Sequence, residues 1–162
     1  MYDLLIRNGR LIDPARSINE RADVAFNAGR VATVAKSLAD AKAAETIDAS
    51  GLIVAPGMID LHVHVYEGVS HYGIPPDPTC LARGVTTAVD AGSAGAATFA
   101  GFRRYIIEAS TTRLLALLNI SRIGMISGAE LDPPGGELED LRHLSVPAAV
   151  RCVEANRDVI LG

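Results

Sequence analysis

Ala55-Pro56-Gly57-Met58-Ile59-Asp60-Leu61-His62-Val63-His64 is the stretch whose reading decides the fold. Pro56-Gly57 breaks whatever precedes it, and residues 58–61 then read as a short buried strand. A strand repeats every two residues, so His62 and His64 point to one side. Twice the rise per residue puts their β-carbons roughly 6–7 Å apart. Two imidazoles at that spacing can lean together on one metal ion, with nitrogen–metal distances of about 2.0–2.1 Å.

Downstream of this strand the pattern alternates. Residues 77–82 read as a short helix with Pro78 in its first turn, ended by Gly84. Val85-Thr86-Thr87-Ala88-Val89 reads as a second strand and residues 95–109 as a helix, with Phe99, Phe102, Ile106 and Ile107 on or near one face. Residues 114–120 form a third strand, with Leu115, Leu117 and Leu118 in the core. Residues 121–144 form a long connection containing Pro133-Pro134-Gly135-Gly136, a loop turn. Residues 147–156 read as a helix with Ser145 as N-cap, and 159–162 begin a fourth strand. Alternating strands and helices of this length imply parallel βαβ units.

Four such units are half of a (β/α)8 barrel, which needs about 250 residues. No Gly-rich phosphate loop follows the first strand, which argues against a doubly wound open sheet. The expected fold is therefore α/β, with residues 55–162 forming the first half of a TIM barrel, strands one to four. The chain reads as the front portion of a longer protein.

Upstream, residues 1–54 read as strands of a small, incomplete β-sandwich. Residues 3–7 and 10–12 flank Asn8-Gly9, a two-residue hairpin signal, and 22–26 and 30–35 flank Asn27-Ala28-Gly29. Residues 46–48 and 52–54 are two more short strands around a Gly turn. The Ala-rich segment 36–45 leaves a helical turn open.

Composition excludes several classes of function. The 162 residues are 49% hydrophobic but only 4% aromatic, with no Trp, so the core is aliphatic, as suits α/β layers. A net charge of −4 without basic clusters argues against nucleic acid. No stretch approaches the ~18 apolar residues of a membrane span, and Met1-Tyr2-Asp3-Leu4-Leu5-Ile6-Arg7 is not a signal peptide. Cys80 and Cys152 are too far apart in sequence to form a ligand pair and read as reduced, buried thiols of a cytoplasmic protein.

Asp60-Leu61-His62-Val63-His64-Val65-Tyr66-Glu67-Gly68, Gly84-Val85-Thr86-Thr87-Ala88-Val89-Asp90-Ala91-Gly92-Ser93-Ala94-Gly95 and Leu118-Asn119-Ile120-Ser121-Arg122 together resemble the amidohydrolase superfamily, closest to its dihydroorotase-like deacetylase branch. The resemblance covers essentially the whole chain. It implies a metal-dependent hydrolase of C–N bonds other than peptide bonds, acting on a small-molecule cyclic amide, N-acyl compound or ester through metal-activated water. It also implies one or two divalent metal ions, usually zinc, with His62 and His64 as the ligands from the first strand. In that family a carboxylated lysine from the fourth strand bridges the metals, histidines come from the fifth and sixth strands, and an aspartate from the eighth is the general base. All of these are expected beyond residue 162. True dihydroorotases carry an arginine two residues after the second histidine, where it meets the substrate carboxylate. Tyr66 stands there instead, which argues against dihydroorotate as substrate.

Four further residues are candidates for orienting a ligand or touching a substrate. Asp60 shares the inward face with the histidines, as an acceptor for an imidazole or a turn-stabilising carboxylate. Asp90 ends the second strand, where capping the next turn is the plainer role. His71 lies in the loop after the first strand, next to Tyr72, and Asn119 ends the third strand at the barrel mouth. His143 reads as surface. The competing functional class is a non-catalytic, structural or oligomerising relative, or an inactive truncated fragment. A homo-oligomer is expected in either class. Half a barrel expressed alone exposes edge strands and should be poorly soluble or molten.

Overall fold

The computed structural model describes residues 1–126 and 136–162. The chain falls into two compact units, Met1–Pro56 and Gly57–Gly162.

The first unit is a five-stranded sheet built around its first strand. β1 (Tyr2–Asp13) runs antiparallel to β2 (Ile18–Asn27), which pairs with β3 (Arg30–Ala35). On its other side β1 runs parallel to β4 (Ala43–Asp48) and to the two-residue β5 (Ile53–Val54). The hairpin predicted around Asn27 forms, with Ala28 and Gly29 both at positive φ between the paired ends Asn27 and Arg30. The hairpin predicted at Asn8-Gly9 does not form. β1 continues straight through, and one extra residue is taken up between Ile6 and Gly9. Asn8 adopts a φ of 65° there, and its N–H donates to the buried Asp23 carboxylate at 2.9 Å. An Asn in left-handed conformation serves a bulge as well as a turn, and the carboxylate selects the bulge. The turn falls instead at Pro14–Arg16. Residues 36–42 hold no helix; bends lead directly into β4. Leu11, Ala22 and Val24 form the buried centre.

The second unit holds a parallel sheet in the order β6 (Met58–Val63), β7 (Val85–Gly95), β8 (Arg113–Asn119). The segment 159–162 joins as a fourth parallel neighbour. Ala116 N–H donates to the Val159 carbonyl and Leu161 N–H to that of Ala116, at 2.9 and 2.8 Å. The mixed α/β class expected from the sequence is therefore the class found. Crossovers run through α1 (Pro76–Thr79), ended by a left-handed Gly84 after one further turn at Leu81–Arg83, and through α2 (Phe99–Phe102) with its π-helical continuation Arg103–Ile107. The last crossover is α3 (Val146–Ala155), where Ser145 Oγ caps by accepting from Ala148 N–H at 3.4 Å. The helix predicted from residue 95 begins only at Phe99, because β7 extends to Gly95 and the turn between them is closed by Thr98. The Pro-Pro-Gly tract of the long connection lies outside the described residues. Among the described residues no helix is long and apolar enough to cross a membrane.

The core packs Val63, Val65, Tyr66, Cys80, Ala88, Ala94, Phe99, Phe102, Leu114, Ala116 and Ile160 between sheet and helices. β6 is an edge strand, and Ile59 and Leu61 on it are 64% and 72% exposed.

One carboxylate ties a crossover to the sheet. Asp77 of α1 accepts from the N–H groups of Thr111 and Thr112 and from the Thr112 hydroxyl, at 2.7 to 2.9 Å, just before β8 begins. The Thr111 and Thr112 N–H groups lead in holding its pKa down, to about 2 against an ordinary 3.8. A depressed folded-state pKa stabilises above the ordinary value, and that stability is lost as pH falls from about 4 toward 2. An Asp77→Asn variant should therefore be less stable at neutral pH and lose less than wild type on acidification, measured as melting temperature against pH.

Candidate functional site

The candidate residues gather where β6 and β7 end, and two strand irregularities aim them. From Asp60 to Val63 β6 advances three residues while β7 advances two, from Ala88 to Asp90. A bulge of this kind re-aims the side chains around it. Asp60 Oδ1 accepts from the His62 backbone N–H at 3.0 Å. That bond is a turn-stabilising one. His62 and His64 follow with ring centroids 5.4 Å apart, edge to face at 77°. His62 is exposed and His64 half-buried.

The second irregularity lies across the sheet. From Ala91 to Gly95 β7 advances four residues while β8 advances two, from Leu117 to Asn119. Gly92 sits in this bulge at a φ of 93°, a conformation that costs glycine nothing and a side chain much. The bulge turns Ser93 toward β6, and its Oγ lies 3.1 Å from His64 Nδ1. Ser93 and Asp90 are both 0% exposed. Asp90 accepts from the Val65 N–H through Oδ2 at 2.8 Å and from the Ser93 N–H through Oδ1 at 2.7 Å. It caps the turn and ties the two strand ends together in doing so.

The remaining candidates are distributed differently. Asn119 Nδ2 donates to the Gly92 carbonyl at 3.1 Å and its Oδ1 accepts from Ser121 N–H at 2.9 Å, so it clips the end of β8 to the β7 bulge. His71 is exposed, its Nδ1 3.4 Å from the Met125 carbonyl. It packs on Tyr72 at 3.9 Å, and Tyr72 lies 5.9 Å from His64, so four rings run in a row from His62 to His71. His143, read as surface, is half-buried, and among the described residues its Nδ1 is enclosed without a partner.

Tyr66 turns away from the histidines. It is 8% exposed, its ring 4.9 Å from that of Phe102, and its hydroxyl donates to the Thr98 carbonyl at 3.2 Å. Burial pushes its phenol pKa up. Cys80 is buried, and burial, followed by the negative charge of Asp60, raises its pKa, which keeps the thiol protonated and a poor ligand. Cys80 and Cys152 are both free, Cys152 half-buried.

Among the described residues no three His, Cys, Asp or Glu side chains converge on a point where a metal could sit. The imidazole pair fits a divalent cation as part of a donor set, because nitrogen ligands at one strand end suit zinc-like ions. Ser93 was not anticipated from the sequence. Its signal was Gly92 within an otherwise strand-like run, which marks a bulge.

No protein-family model matches the chain. A deacetylase of Brucella anthropi is 40% identical over 134 residues, covering 83% of this chain and 32% of the relative. The chain thus spans about a third of the length of the curated relatives first matched. A crystal structure of a dihydroorotase superposes over 100% of this chain and 42% of its own, with a TM-score of 0.85 and 34% identity. One of an adenine deaminase superposes over 100% of this chain and 40% of its own, with a TM-score of 0.80 and 30% identity. Sequence and structure together make the chain similar to deacetylase and dihydroorotase proteins over about a third to two fifths of their length.

Proposed function

We propose that the protein is a metal-dependent amidohydrolase that cleaves a C–N bond in a small-molecule amide, with His62 and His64 as two ligands of a zinc centre. The observation that carries this reading is the pair of imidazoles 5.4 Å apart at the end of β6, in a chain 40% identical to a deacetylase. A divalent cation held there supplies Lewis-acid polarisation of a carbonyl and makes water acidic enough to act near neutral pH.

The chain's own residues do the holding. Asp60 fastens the bulge before His62, and Ser93 engages one nitrogen of His64. The other ligands and the general base belong to residues outside this segment. Residues 55–162 are the first half of a TIM barrel in this reading and 1–54 part of a β-sandwich. The protein is cytoplasmic, as its two free cysteines suggest, and a homo-oligomer.

Tyr66 bears on the substrate. A residue packed against Phe102 with its hydroxyl on a carbonyl offers no cation to a substrate carboxylate. This favours an N-acyl compound over dihydroorotate.

Metal analysis of the purified protein, with hydrolysis assays on N-acetyl amino acids and on dihydroorotate, tests the reading. The expected result is bound zinc and turnover of the N-acyl series. His62→Ala should lose most of its metal and about a hundredfold or more in activity, since the centre keeps only one of its two ligands from this strand. Full metal and full activity in that variant would overturn the assignment.

A further inference from the structure

We infer that Ser93 is the positioning residue for His64, fixing its ring orientation and tautomer so that Nε2 is left for the cation. The inference rests on the metal-site reading above. Ser93 Oγ, 3.1 Å from Nδ1, is the one hydrogen-bond partner of the His64 ring among the described residues. A ligating imidazole gives up the proton on the nitrogen that meets the metal, and its other N–H needs an acceptor. The Ser93 hydroxyl supplies that acceptor at Nδ1.

What makes Ser93 a positioning group rather than a passing neighbour is how firmly it is held. It is completely enclosed. Its N–H donates to Asp90 Oδ1 at 2.7 Å and its carbonyl accepts from Met125 N–H at 3.0 Å. Asp90 also holds the Val65 N–H, one residue past His64, so a single buried carboxylate sets both partners of the Ser93–His64 contact. The Gly92 bulge then directs the hydroxyl at the ring.

The partner is a neutral hydroxyl, where a carboxylate or carbonyl is the common companion of a ligating histidine. Asp90 does not take that place: its oxygens accept from the Val65 and Ser93 N–H groups, and the ring bonds to Ser93 instead. The hydroxyl oxygen accepts from the Nδ1 N–H, the arrangement that a ring bound through Nε2 needs. His62 has no ring partner among the described residues, so His64 is the prearranged member of the pair and His62 the adaptable one.

The test is a Ser93→Ala variant of the purified protein, which removes one oxygen and adds no bulk. Zinc affinity is read by competition with a chelator, and the histidine tautomers by nitrogen-15 NMR with and without zinc. Wild type should show His64 in one tautomer in each state, with Nε2 on zinc and a proton on Nδ1 when loaded. Ser93→Ala should bind zinc about tenfold more weakly and show mixed His64 tautomers in the metal-free state. Equal zinc affinity in the variant, or mixed tautomers in metal-free wild type, would overturn the inference. A wild type that binds no zinc yet holds His64 in one tautomer, released by Ser93→Ala, would uphold the positioning role and fail the metal reading instead.

Discussion

Gly95→Ala should abolish the native arrangement of the second unit or cost at least about 3 kcal/mol, beyond ordinary overpacking. A β-carbon on Gly95 would lie 1.9 Å from the Ser121 carbonyl oxygen and 2.6 Å from carbonyl atoms of Arg122. All three are backbone atoms, so no rotamer change relieves the clash. The strap at 121–125 would have to lift off β7. It is fastened there by the Ala97 N–H on the Arg122 carbonyl at 2.8 Å and by the Met125 N–H on the Ser93 carbonyl at 3.0 Å. Losing the second of these frees Ser93, so the damage reaches His64. Loss of a cooperative thermal transition, or of soluble expression, is the expected readout. A variant melting within a few degrees of wild type would mean that the strap does not lie on Gly95 in solution.

Asp90→Ala should be the most damaging change that adds no bulk. It leaves two enclosed N–H groups, those of Val65 and Ser93, without acceptors. A hydrogen bond to a charged group is worth about 1.5–3 kcal/mol, and an orphaned buried donor carries a comparable penalty. Loss of both contacts should cost about 3–5 kcal/mol, which lowers the melting temperature of the protein. Calorimetry of the variant is the check, and a shift under about 3 °C would show that water replaces the carboxyl oxygens there. Asp90→Asn keeps one acceptor and should fall between the two.

The parts of this fold that were legible in the sequence are those governed by local chemistry. Asn27-Ala28-Gly29 makes its turn because residues 28 and 29 take the left-handed conformations that such a turn needs. Ser145 caps its helix because a serine before Val146-Pro147 has little else to bond. The two histidines lie side by side, but at a bulge and a strand end that local periodicity does not reveal. The misreadings come from long-range bonds. Asn8-Gly9 became a bulge because Asp23, fifteen residues away, accepts the Asn8 N–H. The helix start at 95 moved to 99 because β7, paired with β8, runs on to Gly95 and Thr98 closes the turn after it. Ser93 escaped notice for the same reason, since only the offset between β7 and β8 makes it face His64.

The position of β1 has a consequence for how the first unit is made. β1 precedes the other four strands of the sheet in the chain, yet it ends between β2 and the parallel strands β4 and β5. Its antiparallel side closes through the short turns at Pro14–Arg16 and at Ala28 and Gly29. Its parallel side, where Tyr2 meets Ala43, must wait for a loop of some forty residues to close. On a growing chain the three-stranded antiparallel piece therefore assembles with one flank of β1 bare. That flank can pair with a second nascent chain until residues 43–54 have emerged to cover it.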